Sequence, residues 1–409
     1  MMKIRVAASK PYDVLMSPGL LAAAGTHIKY ALGLKGDPTT GKIENRRICI
    51  VTDSTVEPLY AMENQGLWAS LATTGFAVCK YVFPGGERHK TMAAVEGLLD
   101  FLTSHNFSRS DLLLALGGGI TGDVTGFAAA VYLRGIDYIQ VPTSLLAVVD
   151  SSVGGKTGVN LKAGKNLAGA FWQPSLVLFD PDVLATLSDE LKLDGIAEAI
   201  KAGLIAEPRI IDAVENELAA GAQGVGYGKP GAGASPQSVG AEAQGIAGGN
   251  ANSSGQQRIP ADTNFLTALA ASAVEVKRRI VEEDERDEGR RQLLNFGHTI
   301  AHAIERCSDY SISHGHAVAM GMAIVATAAD RLGLTEEPCG PKIIGLLKRF
   351  GFPLDCPYSP AQLAEAALQD KKICEDRITL VVPVAIGMCI LKTIPVSQLE
   401  QFISCGMNV

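Results

Sequence analysis

An α/β domain followed by a helical one is the architecture the sequence predicts, and three observations carry it. Up to about residue 190, short apolar or β-branched runs (48–52, 77–83, 112–116, 138–141 and 175–179) alternate with helical patterns. The run at Leu112 ends in Gly117-Gly118-Gly119-Ile120-Thr121-Gly122-Asp123, which opens a small-residue helical stretch reaching Leu133. That is a strand–turn–helix of the kind at which parallel sheets bind ligands. From Ser188 onward the pattern becomes helix after helix, at 191–204, 265–284, 296–307, 316–332 and 342–350. These signals place a Rossmann-like α/β domain at residues 1–187 and an all-α domain at 188–409.

Two stretches lack the apolar residues a core needs. Residues 219–263 are rich in Gly, Ala, Ser, Gln and Asn and read as a disordered surface insertion. Residues 35–47, with Gly36-Asp37-Pro38, read as an extended loop. Neither is expected to carry chemistry.

Composition removes whole classes of function. With 409 residues and 47% hydrophobic content, the chain can bury two cores. A net charge of -7 gives no basic face for a nucleic-acid backbone, so any phosphate it holds is small and locally recognised. The eight cysteines are scattered without a CxxC pair, which argues against a zinc knuckle or a disulfide framework and favours a cytoplasmic protein. The N-terminus Met1-Met2-Lys3-Ile4-Arg5-Val6 lacks an apolar signal core, and no apolar run approaches the ~20 residues of a membrane span.

Four of the seven histidines, His298, His302, His314 and His316, crowd into one short stretch. His298 and His302 are four apart on an expected helix and share a face, with Glu305 near the same stripe. Imidazoles gathered in this way suit a metal, and the helix at 191–204 offers Glu198 as a carboxylate ligand, one turn from Lys201. Taken alone, Glu198 and Lys201 read more readily as a surface ion pair than as part of a site. The glycine turn satisfies GxGxxG in the right context, and its helix N-terminus suits a pyrophosphate. The acidic residue expected about 20 positions downstream is not evident, so Asp53, ending the 48–52 strand, is the candidate for a ribose hydroxyl. A glycine turn required only for backbone reasons is the competing reading. The segment Asp150-Ser151-Ser152-Val153-Gly154-Gly155-Lys156-Thr157 lacks the first glycine of a P-loop, which excludes nucleotide triphosphate hydrolysis. It reads as a flexible loop whose Lys156, followed by Lys162, Lys165 and Asn166, could hold a phosphate or carboxylate.

These blocks, together with Gly86-Glu87-Arg88-His89-Lys90-Thr91, Gly164-Lys165-Asn166, Gly169-Ala170-Phe171-Trp172-Gln173-Pro174, Glu198-Ala199-Ile200-Lys201, Asn295-Phe296-Gly297-His298-Thr299 and Ser313-His314-Gly315, resemble 3-dehydroquinate synthases of the sugar phosphate cyclase superfamily, and they span nearly the whole chain. The resemblance implies an N-terminal NAD-binding domain, a helical metal domain and a cleft between them. It implies zinc, or cobalt, on Glu198, His298 and His314. It assigns NAD to Asp53, Glu87, Lys90, Gly118, Gly119, Asp123, Thr143, Ser144, Lys156, Lys165 and Thr186. Substrate phosphate and carboxylate, and catalysis, fall to Asp150, Lys156, Asn166, Lys201, Lys277, Arg291, Asn295, His302 and a lysine of Asp370-Lys371-Lys372, with Lys371 the first candidate. Arg134 resembles the arginine that reaches a neighbouring subunit's site, which implies a homodimer.

The implied reaction turns 3-deoxy-D-arabino-heptulosonate 7-phosphate into 3-dehydroquinate and phosphate, a step of the shikimate pathway to aromatic amino acids. It proceeds by transient oxidation on NAD, phosphate elimination, re-reduction and intramolecular aldol closure. Several positions depart from the family pattern: His316 stands where glutamate is usual, Ala301 for glycine, Ala202 for tyrosine, Ser144 for threonine and Asp287 for glutamate. His316 is not expected to be a ligand. The competing readings are a sister cyclase making 2-deoxy-scyllo-inosose or a valiolone, a metal-dependent polyol dehydrogenase, and an inactive NAD-binding protein. Arg291, Lys277 and Asn295 favour a carboxylate-bearing substrate over the first, because a guanidinium can bind a carboxylate through two hydrogen bonds.

Overall fold

The computed structural model describes residues 1–37, 39–41, 43, 46–223, 262–370 and 376–407. The first half is built on a seven-stranded sheet in the order β1-β2-β9-β6-β5-β3-β4. Its strands are β1 (Met2–Val6), β2 (Tyr12–Met16), β3 (Arg46–Asp53), β4 (Phe76–Phe83), β5 (Leu112–Gly117), β6 (Asp137–Pro142) and β9 (Leu176–Phe179). Only β1 runs antiparallel, against β2; the other neighbours are parallel. Every residue of β5 is buried, as expected of a central parallel strand covered on both faces. The covering helices are α1 (Leu20–Ala31), α2 (Glu57–Tyr60), α3 (Gly66–Thr74), α4 (Met92–Ser104) and α5 (Gly119–Val131).

The strand order fixes where a ligand can bind. After β3 the chain moves outward to β4, then returns across β3 to β5. The carboxyl ends of β3 and β5, at Asp53 and Gly117, therefore flank a topological switch point, where open α/β sheets leave a crevice.

The stretch expected to be a flexible loop is ordered. Residues 147–151 form one wide helical turn, and β7 (Lys156–Leu161) pairs antiparallel with β8 (Gly164–Phe171). The glycines that suggested flexibility instead let the two strands approach closely: a Cβ on Gly158 would lie 2.6 Å from the carbonyl oxygen of Ala168.

The second half is predominantly helical, with α6 (Asp189–Ala206), α7 (Pro208–Gln223), α8 (Thr263–Glu283), α9 (His298–Cys307), α10 (His314–Arg331), α11 (Gly340–Arg349), α12 (Pro360–Asp370) and α13 (Leu399–Met407). Ser188 caps α6 by accepting from Leu191 N, and Asp262 caps α8 by accepting from Asn264 N. Two expectations need correction. The half is not all-α, because β10 (Arg377–Ala385) and β11 (Met388–Pro395) form an antiparallel hairpin. The stretch expected to be disordered, 219–263, begins inside α7 and ends in the cap and first residue of α8; its centre, 224–261, lies outside the described residues. Likewise β3 starts at Arg46, inside the expected loop at 35–47.

One buried apolar cluster joins the halves, running from Val14, Met16, Val177 and Phe179 of the sheet to Ile196 and Ile200 of α6 and Val276 and Ile280 of α8. Burial of this kind contributes roughly 25 cal/mol per Å² of apolar surface. It holds the helical half against the sheet, alongside polar contacts such as Lys277 to Asp150 and Lys165 to Glu305. Among the described residues no helix is long and apolar enough to cross a membrane.

Candidate active site between the two halves

A cleft of about 560 Å³ lies where the hairpin β7–β8 faces the helical half. Into it the first half projects Asp123, Asp150, Lys156 and Asn166, and the second half Lys201, Lys277, Arg291, Asn295, His298, His302 and His314. Eight of the ten residues expected to be catalytic thus line one cavity. Arg134 does not: it is exposed, next to Leu133, and both hold a left-handed backbone (φ 67 and 49). Lys371 lies outside the described residues.

Glu198, His298 and His314 stand together at one end, their nearest ligand atoms all within 4.8 Å of one another. Glu198 is presented by α6, His298 opens α9 and His314 opens α10. Glu198 Oε1 is buried and has no hydrogen-bond partner among the described residues. His298 Nε2 lies 3.6 Å from it and His314 Nε2 3.7 Å, too far for a hydrogen bond. Two atoms each about 2.1 Å from a shared tetrahedral ion would be about 3.4 Å apart, so the gap has the size a divalent metal needs. Both imidazoles are also set for it. His298 Nδ1 is 3.1 Å from the carbonyl oxygen of Phe296 and His314 Nδ1 is 3.3 Å from Glu305 Oε1, which turns each Nε2 toward Glu198. The residues present therefore fit a metal. His316 is not of this group: its Nδ1 lies 2.7 Å from Ser313 Oγ and its ring packs edge-on against Phe352.

The electrostatics point the same way. Burial opposes the charge on Glu198, but Lys201, which donates to Glu198 Oε2, and His298 outweigh it and hold the carboxyl at about 2. Burial and the Lys201 ammonium push His298 down to about 3, so it is neutral. For His314 burial is overcome by the Glu198 and Glu305 carboxylates, which lift it to about 10. A proton on His314 thus stands in for the positive charge that a metal would bring.

The remaining cleft charges are held in pairs. Lys277 Nζ donates to the Asp150 carboxylate and, at 2.5 Å, to the Asp150 carbonyl oxygen. Burial resists the Asp150 charge, but Lys277 and Lys201 keep its pKa far below the ordinary range. Lys156 is half exposed and reaches 2.5 Å across the cleft to Asp287. Arg291, only 1% exposed, donates to the carbonyl oxygens of Glu285 (2.5 Å) and Gly154 (2.9 Å), so the fork expected to grip a carboxylate is partly committed to backbone. Its Nε remains a buried donor without a partner among the described residues.

Most of the residues expected to hold NAD fall into two groups. Asp53, Gly118 and Gly119 line a small crevice of about 120 Å³ at the switch point, with Thr55, Gly85, Gly86, Ile120 and Thr121. Gly118 precedes α5 without a side-chain cap, and a Cβ there would meet nothing closer than Ser144 Oγ at 3.7 Å, so the cradle is open above the helix N-terminus. These features fit a dinucleotide's pyrophosphate. Asp53 is already engaged: Oδ1 accepts from Thr55 N and Oδ2 from Thr121 Oγ1, so a ribose hydroxyl would share it. A second group, Glu87, Lys90, Asp123, Lys156 and Lys165, lies on or against the hairpin, whereas Thr143 and Ser144 flank the glycine turn and Thr186 stands apart beside Tyr60. Lys90 donates to Asp123 (2.5 Å) and Asn166 (2.6 Å), and Glu87 accepts from Asn160 Nδ2 (2.7 Å). Thr143 N donates to Gly117 O, Ser144 Oγ accepts from Ala147 N, and Thr186 Oγ1 lies 2.6 Å from Tyr60 OH. Lys165 points away from the crevice, donating to Glu305 Oε1 at 3.1 Å with its Nζ 4.4 Å from the Tyr310 ring centre.

Glu305 was visible in sequence only as a residue near the histidine stripe. In the fold it is buried and accepts from both His314 and Lys165, linking a metal-site imidazole to the hairpin of the other half. Burial opposes its charge, yet His314 and Lys165 bring it to about 2.

Comparison with known proteins adds an independent line. The chain matches the family descriptions "3-dehydroquinate synthase N-terminal" over residues 80–193 and "3-dehydroquinate synthase C-terminal" over residues 250–373. It is 36% identical over 395 residues to a 3-dehydroquinate synthase of Streptococcus sanguinis (strain SK36), covering 96% of this chain and 97% of that protein. It is 39% identical over 391 residues to one of Rhodospirillum rubrum, covering 93% and 88%. Among solved structures, a 2-deoxy-scyllo-inosose synthase complexed with carbaglucose-6-phosphate, NAD+ and Co2+ superimposes with a TM-score of 0.75 at 22% identity, covering 99% of this chain and 100% of that one. A 2-epi-5-epi-valiolone synthase from Streptomyces hygroscopicus with NAD+ and Zn2+ bound gives 0.75 at 25% identity, covering 96% of each.

Proposed function

The chain belongs to the 3-dehydroquinate synthase family, and from that premise we infer that it converts 3-deoxy-D-arabino-heptulosonate 7-phosphate into 3-dehydroquinate and inorganic phosphate. It is then a phosphate-eliminating carbon–oxygen lyase of the shikimate pathway. The observation that carries the reading is the orphaned Glu198 Oε1 between two imidazoles, opening onto a cleft lined with Lys156, Lys201, Lys277 and Arg291. Such a cleft suits a substrate carrying a hydroxyl to be activated, a phosphate and a carboxylate.

Glu198, His298 and His314 would hold a zinc or cobalt ion, and the crevice at Gly118 and Gly119 the NAD pyrophosphate. When bound, these groups supply polarisation of a secondary hydroxyl and a reversible hydride acceptor. Lys156 binds the phosphate, and its bond to Asp287 is the contact the phosphate displaces. As the C–O bond to phosphate breaks, negative charge grows on the leaving oxygen, and Lys156, Asn166 and His302 stabilise it there. Lys277 and the remaining donors of Arg291 and Asn295 orient the carboxylate end. Lys201 keeps Glu198 ionised at the metal site. Asp150 holds the Lys277 ammonium in place from the opposite half. Glu87, Lys90, Asp123, Thr143, Ser144, Lys165 and Thr186 would contact NAD as in the family's pattern, Lys165 lying 3.7 Å from Glu87 Oε1.

The exposed position of Arg134, off its own cleft and on a left-handed backbone turn, supports a homodimer in which it enters the neighbour's site. Its likeness to 3-dehydroquinate synthases and the scattered cysteines of its sequence support a cytoplasmic location. The test is phosphate release from a panel of sugar phosphates by purified protein supplied with NAD and zinc. Release from 3-deoxy-D-arabino-heptulosonate 7-phosphate with a dehydroquinate product is expected. Release only from glucose 6-phosphate or sedoheptulose 7-phosphate would move the chain to a sister cyclase.

A further inference from the structure

We propose that Asp194 is a positioning residue for the metal site, setting the spacing between Glu198 and His314 by capping one ligand-bearing helix from the other. The inference rests on the metal reading above.

A helix leaves its first backbone N–H groups without intrahelical partners, and the residue before the helix normally satisfies one with its own side chain. At α10 that residue is Ser313, and it makes no such bond. Its hydroxyl turns away and donates to Asp194 Oδ1 at 2.6 Å. The same oxygen accepts from the N–H of Gly315, the second residue of α10, at 2.9 Å. The cap of α10 therefore comes from α6. Asp194 is buried, so both contacts are shielded from water, and its carboxylate at a helix N-terminus also meets the favourable end of the helix dipole.

The consequence is geometric. Asp194 stands one helical turn before Glu198 on α6, and the N–H it captures belongs to the residue directly after His314. One carboxylate thus ties together the two helix segments that present these metal-site residues. The approach is close enough to demand glycine at 315, where a Cβ would fall 2.2 Å from Asp194 Cα and 2.7 Å from its carbonyl oxygen. This accounts physically for the Ser313-His314-Gly315 block: serine for the bond to Asp194, histidine for the metal, glycine for the contact. It also gives His316 a place, since with the serine proton committed to Asp194 its imidazole can donate to Ser313 Oγ across 2.7 Å.

The test measures zinc affinity by equilibrium chelator competition, with the visible spectrum of the cobalt-substituted protein as a report on ligand geometry. Asp194→Ala should weaken zinc binding about 10–100-fold, the range for loss of a residue that orients metal ligands. It should alter the cobalt bands and leave NAD affinity within about twofold. Asp194→Asn keeps an acceptor oxygen in place and should recover most of the affinity. Ser313→Ala removes one of the two links and should fall between, so the proposal can be judged even if the alanine variant at 194 fails to fold. Unchanged zinc affinity and cobalt bands in Asp194→Ala, or in Ser313→Ala where Asp194→Ala is unfolded, would overturn the proposal and leave Asp194 an ordinary cap. Wild-type protein that binds no zinc would instead overturn the metal reading itself.

Discussion

The two halves contribute to the cleft by different physical means. The sheet half adds Asp123, Asp150, Lys156 and Asn166 to the cleft wall, but its own crevice at the switch point between β3 and β5 offers mainly backbone, a glycine cradle and a helix N-terminus. The helical half offers side chains, drawn from α6, α8, α9 and α10 and the turn before α9, with charges balanced pair by pair. Backbone recognition depends on local conformation and is written in a short contiguous motif. Side-chain recognition depends on packing between distant segments, so single substitutions should damage the metal triad and the cleft lysines far more than the glycine cradle.

The largest effect should come from Glu198→Ala. It removes the carboxylate ligand and leaves Lys201 buried without its partner, a change of about 3–5 kcal/mol in similar buried pairs. Zinc binding and turnover should both be lost while NAD binding persists; simultaneous loss of NAD binding would show that the two halves are not separable. Lys156→Ala should lower turnover about 10²–10³-fold by removing a donor to developing charge, with metal affinity unchanged in binding titrations. Full activity in that variant would sink the phosphate assignment.

The metal's dependence on pH sharpens the contrast. In the metal-free protein His314 titrates at about 10 and holds a proton at neutral pH, whereas His298, at about 3, and Glu198, at about 2, have already lost theirs. Metal must displace the His314 proton, so affinity should rise about tenfold per pH unit from about pH 5 to 9, with one proton released per ion. NAD binding through backbone amides should be flat over that window, and calorimetry in buffers of different ionisation enthalpy would read both.

A smaller effect tests the expected dimer. Inactive Arg134→Ala and Lys156→Ala proteins, unfolded and refolded together, should regain about a quarter of wild-type activity, because half the dimers would be mixed and each would rebuild one intact site. No recovery would place Arg134 in its own subunit's chemistry or outside it.

Legibility followed the same division. The parallel strands were readable because β3, β5 and β9 are apolar runs, and the glycine turn because its context was local. The edge strand β1, Met-Lys-Ile-Arg-Val, hid behind its charges, while β7–β8 hid behind glycines and lysines that signal a loop unless the two strands are seen in contact. The hairpin β10–β11 was lost within a stretch read as helical, and α7 was partly absorbed into the polar insertion. Glu198, His298 and His314 were recoverable as a set from the family pattern; spacing alone paired His298 with His302 and only marked the histidine-rich stretch. The roles of Asp194 and Glu305 were not, because each works through a contact more than 100 residues away, with Ser313 and Lys165 respectively.

Residues of both halves would act on one substrate to eliminate phosphate without net redox change. Rapid mixing of enzyme, zinc, NAD and 3-deoxy-D-arabino-heptulosonate 7-phosphate, following nicotinamide absorbance and phosphate together, tests it most directly. The expected result is a transient rise in reduced nicotinamide, no more than stoichiometric with enzyme, that is not carried forward while phosphate accumulates over many turnovers. Steady accumulation of NADH without phosphate would contradict it and identify a polyol dehydrogenase on the same fold.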